Sequence, residues 1–371
     1  SRTDPNPTNC FLIESYAPEQ RVLFPKPCLR VSVQLCSIFL GFKRYAAMRV
    51  FINGFGRIGR TMLRAHAQGA WPQIEVVGIN DIADPELCAH LFAYDSIFGP
   101  YSGQAECINN ALVLDGVAIP ISRNADISEV DLSGVDVLLE CTGKADARII
   151  AERGLTAGAK RVLISGPSDA ADLTVVLGAN DALLRDQKIV SNASCTTNAL
   201  APLVKLIDDT WGLQTGWMTT IHCYTGSQPS IDAPRGDMLR SRAAALSMVP
   251  TTTSAQRLLN EVLPDIAGRI EAAAVRVPVA SVSAVDLSVT LDQKVSLDDV
   301  HNVLRAQSGI IGWTDKPLVS TDLRARPESL IVSLPATRVT AGGLLRVFGW
   351  YDNEWGFSCR MLDVASRMGD T

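Results

Sequence analysis

Cys195 stands in a run of small polar residues, Ser191-Asn192-Ala193-Ser194-Cys195-Thr196-Thr197-Asn198, and His222 follows it by 27 positions. A thiolate is a strong nucleophile, and an imidazole in reach serves it first as ion-pair partner and then as general base. That pairing predicts a covalent intermediate. Upstream lies Gly54-Phe55-Gly56-Arg57-Ile58-Gly59, a G-x-G-x-x-G turn of the dinucleotide-binding type. A hydride acceptor beside a thiol specifies oxidation of an aldehyde through a thioester. The alternative for Cys195 is an inert buried thiol, the usual fate of a free cysteine. Its small polar neighbours speak against that.

The choice of imidazole is narrow, because the chain holds four His. His66 falls in the helix after the Gly turn. His90 and His301 lie in the helical patterns Glu86 to Tyr94 and Asp298 to Ala306. His222 ends the strand-like run Trp217 to Ile221 and is best placed to face an exposed strand end. The alternative is a hydrogen-bonded strand-end His. Cys223, next to it, points to the opposite face of a strand and reads as structural.

Several elements must position these groups. Met48 to Asn53 reads as a buried parallel strand and Arg60 to Gln68 as a helix. Between them Gly54 permits the tight turn, Gly56 lets backbone approach a pyrophosphate, and Gly59 lets helix pack close to strand. A second strand, Ile74 to Ile79, leads to Asp81, which is placed to bind an adenosine ribose and whose charge favours NAD over NADP. The alternative for Asp81 is a cap on the next turn. The strand-like runs Val135 to Leu139 and Arg161 to Ile164 lead to Thr142 and Ser165. Both are candidate cofactor contacts, with ordinary turn chemistry as the alternative. Ile189-Val190 ends a further strand, and the Cys195 run leads into a helix, Ala199 to Asp208, whose N-terminus favours a thiolate.

Composition narrows the class. With 371 residues and 47% hydrophobic content, two domains with sizeable cores are expected. A net charge of −5 without a basic stripe argues against nucleic acid, so anionic substrates need locally placed Arg. Nine Cys at irregular spacings, with no Cys/His cluster of zinc type, predict reduced thiols, a reducing compartment and no metal site. Residues 1–47 do not resemble the rest. Their apolar run, Val31 to Phe42, is shorter than the roughly 18–20 residues that span a bilayer. Lys26 and Arg30 before it and Ala46-Ala47 after it faintly outline a signal peptide. Its depth in the chain and Lys43-Arg44 directly after it argue against export, and Asp4, Glu14 and Glu19 against a transit segment. We expect a disordered or adventitious extension, with the functional chain starting at Met48, no membrane association and a cytoplasmic location.

From Met48 to Asp370 the sequence resembles phosphorylating glyceraldehyde-3-phosphate dehydrogenase. The likeness rests on INGFGRIGR (52–60), SNASCTTN (191–198), TTIHCYTGSQ (219–228), RAAALSMVPTTT (242–253), VRVP (275–278) and WYDNEWGF (350–357), in the family order. It implies an α/β protein. A Rossmann-type NAD-binding domain (48–194, completed by a C-terminal helix, 356–371) precedes an α+β catalytic domain (195–355) with a mixed, largely antiparallel sheet. Val282 to Leu291 and Leu344 to Trp350 fit its long strands and Gly356 to Met368 its closing helix. The stretch Ile231 to Leu246 resembles the loop that reaches a neighbouring subunit's cofactor, which implies a homotetramer.

The resemblance also distributes roles. Thr225 and Arg276 match the site for the phosphate of an aldose phosphate. Ser194, Thr196, Thr253, Ser254 and Arg242 match the region that holds attacking inorganic phosphate. Asn353 matches the holder of the nicotinamide carboxamide. Arg57 and Ile58 match backbone contacts to the pyrophosphate, and Arg123 joins the cofactor set. Two departures stand out. Ser254 replaces a usual Gly, which predicts a weakened or reshaped anion site, and Phe357 replaces a frequent Tyr. Thr174-Val175-Val176 with Gly178, and Asp352-Asn353-Glu354-Trp355-Gly356-Phe357, lean towards erythrose-4-phosphate dehydrogenase, a relative that releases acid by hydrolysis. His222-x-x-Thr225 and Asp237 to Leu246 favour the triose enzyme. A binding protein that keeps the fold without catalysis is the third reading, opposed by the retention of Cys195 and His222.

Overall fold

The computed structural model describes residues 47–370. The expectations about the leading extension, including the run Val31 to Phe42, fall outside them, except at Ala47.

β-Branched and aliphatic runs build a nine-stranded sheet in the order 173–174, 189–191, 161–164, 137–140, 48–53, 74–80, 117–122, 111–114, 105–108. Strands from 173–174 to 117–122 are parallel. Successive side chains leave to opposite faces, as strand geometry demands. Val50 and Ile52 enter one core with Val137, Leu139 and Leu163. Phe51 enters the other with Leu138, Val162 and Ile164. Both faces are therefore covered, which is why these strands read as unbroken apolar runs. The helix Trp355–Asp370 contributes Phe357, Met361, Leu362 and Val364 to the first of those cores.

The edge 105–108, 111–114 and 117–122 is an antiparallel meander that we did not anticipate from sequence. Its turns are Asn109-Asn110 (φ 50° and 60°) and Asp115-Gly116 (φ 49° and 87°). Two-residue loops with both φ positive match the right-handed twist of the flanking strands.

A second sheet runs 249–251, 270–277, 213–223, 283–291, 345–351, 330–333, 311–314, with 338–339 also paired to 345–351. It is mixed and largely antiparallel: only 213–223 with 270–277 and 311–314 with 330–333 run parallel. Met218, Leu287, Val289 and Val347 pack one face against Leu200, Leu203 and Val204 of the helix Cys195–Trp211. On the other face Trp217 remains 54% exposed and Ile221 37%.

That helix starts four residues earlier than expected. The Ser194 hydroxyl accepts from the Thr197 N–H at 3.1 Å, so the polar residues after Cys195 form a capped first turn rather than a lead-in. Pro202 sits inside the helix without ending it. Complete burial of Ala199, Leu200, Leu203 and Val204 outweighs the one backbone hydrogen bond that Pro removes.

Candidate active site

The Gly turn is built by exclusion. Gly54 has φ +92°, and a Cβ there would meet the backbone of Cys141 and Thr142 at 2.7 Å. A Cβ on Gly59 would lie 2.2 Å from the Gly54 carbonyl oxygen. Gly56 meets nothing within 4 Å, because it faces a cavity of about 290 Å³. Gly56 also precedes the helix Arg57–His66 without a side-chain cap, so the first helical N–H groups have no side-chain acceptor. An open backbone at an uncapped helix N-terminus fits a pyrophosphate.

Asp81 lines the same cavity, and its carboxylate accepts from the Phe55 N–H (2.6 Å) and the Ala83 N–H (2.8 Å). It thus caps its own turn and ties the Gly turn to the second strand. A carboxylate has about four lone-pair sites, so room for a ribose hydroxyl remains. Beneath it, buried Asn80 donates to Asn53 (2.8 Å), Asn53 donates to Glu140 (2.5 Å), and Glu140 accepts from the Thr142 N–H (2.9 Å) and hydroxyl. This network places Thr142 on the cavity wall. Arg123 is not on that wall. Its guanidinium is exposed, 3.6 Å from Asp84, while the neighbouring Asn124 lines the cavity.

Across the Gly turn lies a second cavity, of about 340 Å³, lined by Arg57, Ile58, Ser165, Cys195, His222 and Asn353 among others. The Arg57 side chain is held by Glu354, at 2.5 Å, and by Asp95, so its backbone alone is free for a ligand. Phe357 also faces this cavity. Two cavities flanking one Gly turn fit an elongated dinucleotide.

Cys195 is the first residue of its helix, and its Sγ lies 3.6 Å from His222 Nε2. His222 Nδ1 donates to the Cys223 carbonyl at 2.6 Å, which leaves the Nε2 lone pair facing the thiol. Burial pushes the Cys195 thiol up to about 11, opposed by the Thr196 hydroxyl and N–H, and pushes the His222 imidazolium below its ordinary range. Neither group ionises readily alone. Transferring the proton between them creates opposite charges whose attraction at 3.6 Å is about 5 kcal/mol at an effective dielectric of about 20. The helix N-terminus adds to it. The two groups therefore titrate as a pair.

A third cavity, of about 250 Å³, shares Ser194, Cys195, His222 and Arg276 with the second and adds Thr196, Thr253, Ser254 and Arg240. Arg276 lies beside His222 in the parallel strand register and donates to Thr225 and Ser227, each at 3.2 Å. Arg240 donates to the Thr251 hydroxyl at 2.8 Å. Neither guanidinium pairs with a carboxylate among the described residues, so the two converge as an anion site.

Arg242 does not join them. It is held at 2.8 Å by Asp232 on the exposed side of the loop. Arg240, two positions earlier, supplies the charge that sequence reasoning gave to Arg242. Spacing alone cannot tell two loop residues apart. Ser254 lines this cavity at φ −65°, a conformation open to any residue. Tyr351 was also missed. Its buried hydroxyl bridges Thr196 and Thr220, each at 2.8 Å, and its ring meets His222 edge-on at 6.1 Å.

Residues 48–148 match the family model for the NAD binding domain of glyceraldehyde 3-phosphate dehydrogenase, and residues 194–353 that for its C-terminal domain. The chain is 45% identical over 332 residues to the glyceraldehyde-3-phosphate dehydrogenase of Xanthobacter flavus, covering 87% of this chain and 99% of that protein. It is 40% identical over 331 residues to glyceraldehyde-3-phosphate dehydrogenase 1 of Bacillus subtilis (strain 168), covering 86% and 98%. A Pseudomonas aeruginosa relative of the same name is 45% identical over 325 residues, covering 86% and 97%. The chain belongs to the glyceraldehyde-3-phosphate dehydrogenase family.

Proposed function

We propose that this chain is the NAD-dependent enzyme that oxidises D-glyceraldehyde 3-phosphate, with inorganic phosphate, to 1,3-bisphosphoglycerate. The observation that carries the reading is the Cys195–His222 pair set at 3.6 Å between a cofactor cavity and two unpaired arginines.

The Cys195 thiolate attacks the aldehyde carbon. The C–S bond forms, the carbonyl π bond becomes an oxyanion, and a proton makes it a hemithioacetal. His222 Nε2, freed of the thiol proton, takes the hydroxyl proton as the carbon is oxidised. Gly54, Gly56, Arg57, Ile58, Gly59, Asp81, Thr142, Ser165 and Asn353 would hold NAD, which would supply the hydride acceptor. Donors aimed at the developing oxyanion, the Cys195 N–H and His222, contribute several kcal/mol. Phosphate oxygen then attacks the Cys195 thioester, the C–S bond breaks, and the acyl phosphate leaves. We assign the substrate's own phosphate to Thr225 and Arg276, and the attacking phosphate to Ser194, Thr196, Thr253, Ser254 and Arg240. A second anion cluster beside the thiol is what phosphorolysis needs and hydrolysis does not.

The domain division 48–194 plus the C-terminal helix, followed by 195–355, is supported by the two separate sheets. Exposed Ile231, Met238 and Leu246 on one loop, with Trp217 and Ile221 on a sheet face, support a homotetramer. The six described cysteines are free thiols, which suits the cytoplasm. NADH formation from each aldose phosphate, with and without phosphate, tests the reading. Phosphate-dependent turnover of the triose is expected. Phosphate-independent turnover favouring erythrose 4-phosphate would reverse it.

A further inference from the structure

Cys223 ends the strand 213–223 and is fully buried. Its backbone carbonyl accepts from His222 Nδ1, and its Sγ–H points at Asn353 Oδ1, 3.1 Å away. Its N–H donates to the Ser283 hydroxyl at 3.1 Å. Ser283 follows Val282, a β-branched residue at φ +67°, a strained conformation that persists only where surrounding packing fixes it.

Asn353 is held from the other side. The Asp352 carboxylate accepts from the N–H groups of Ala325 (2.8 Å), Glu354 (3.0 Å) and Trp355 (2.8 Å), which fixes the turn. What remains free is the orientation of the Asn353 amide, which has two near-isosteric states. A thiol donates only to the oxygen. With Oδ1 turned to Cys223, Nδ2 has no hydrogen-bond partner among the described residues, and Asn353 lines the cavity that holds Cys195. Burial pushes the Cys223 thiol up to about 12, so it stays a donor.

We propose that Cys223 is a positioning residue whose S–H locks the Asn353 amide, so that a donor, Nδ2–H, faces the ring carboxamide of NAD. The site then selects a ring substituent that presents a hydrogen-bond acceptor. This rests on the reading of Asn353 as the carboxamide holder. Without the lock the amide flips freely. NAD, whose carboxamide both donates and accepts, tolerates the flip. The 3-acetylpyridine analogue, an acceptor only, does not.

The test is the dissociation constant of each dinucleotide for the full-length protein, measured by calorimetry. With two near-equal amide orientations the competent fraction falls to about half, so Cys223→Ala raises the constant for the acetyl analogue about twofold and leaves that for NAD unchanged. Cys223→Ser, which keeps a donor, keeps the wild-type constant for both. Cys223→Val fills the space without a donor and reproduces the Ala pattern should Ala impair folding. In an Asn353→Ala background, Cys223→Ala changes neither constant, because the coupled pair is already broken. Equal losses for both ligands, or independent multiplying effects of the two substitutions, would overturn the inference. If wild-type protein does not bind NAD, the functional reading fails instead. If Asn353→Ala weakens NAD and Cys223→Ala has no effect, only this inference fails.

Discussion

The two halves of the site are made in different ways. Around the Gly turn the ligand surface is backbone, and the sequence requirement is absence of side chain: Gly54 and Gly59 have no room for a Cβ, and Gly56 opens onto the cavity. Around Cys195 the surface is side chain, drawn from positions 194–196, 222, 240, 276 and 353 on separate elements. Backbone sites are written locally in sequence. Side-chain sites are assembled by the fold, and their members must be oriented individually, as Asp232 orients Arg242 away and Tyr351 braces Thr196.

Substitutions can break this contrast. The largest effect falls in the side-chain half: Cys195→Ser abolishes aldehyde oxidation, by about 10⁴-fold or more in kcat, while calorimetry shows NAD still bound. If NAD binding is lost together with the fold, Cys195 is structural. His222→Asn lowers kcat by about 10²- to 10⁴-fold, the range for a general base, with little change in NAD affinity. Next, Arg240→Ala raises the KM for inorganic phosphate about 10- to 100-fold, as expected for losing a charged hydrogen-bond donor. Arg242→Ala stays within about threefold, being an exposed ion pair. The reverse order would return the anion site to Arg242. The smallest effects sharpen the backbone half. Gly59→Ala lowers unfolding stability by about 1–3 kcal/mol through overpacking against the Gly54 carbonyl. Gly56→Ala leaves the melting temperature unchanged and weakens NAD binding.

Much of the fold was legible. Met48 to Asn53 was bounded correctly from its apolar run, and the thiol and imidazole of the pair were singled out by type and setting. What escaped has physical reasons. The hairpins at Asn109-Asn110 and Asp115-Gly116 carry the residue types that positive φ requires, yet their strands are too short for a clear period. The helix at Cys195 began early because a serine cap recruits polar residues into its first turn. Arg240 and Arg242 differ only in which acid each meets in space. Cys223 was read as structural from strand parity, but its partner lies 130 positions away, beyond what parity reveals.

The central claim is that Cys195 and His222 share one proton across 3.6 Å. The rate of iodoacetamide labelling at Cys195, followed against pH in wild type and His222→Asn, tests it directly. The thiolate is the reacting form, so the rate rises with pH through ionisation. Wild type should reach its plateau well below the ordinary thiol range, held there by the imidazolium. The variant, left with a buried thiol and no imidazolium, should climb only above the ordinary thiol range. Superimposable profiles would contradict the account.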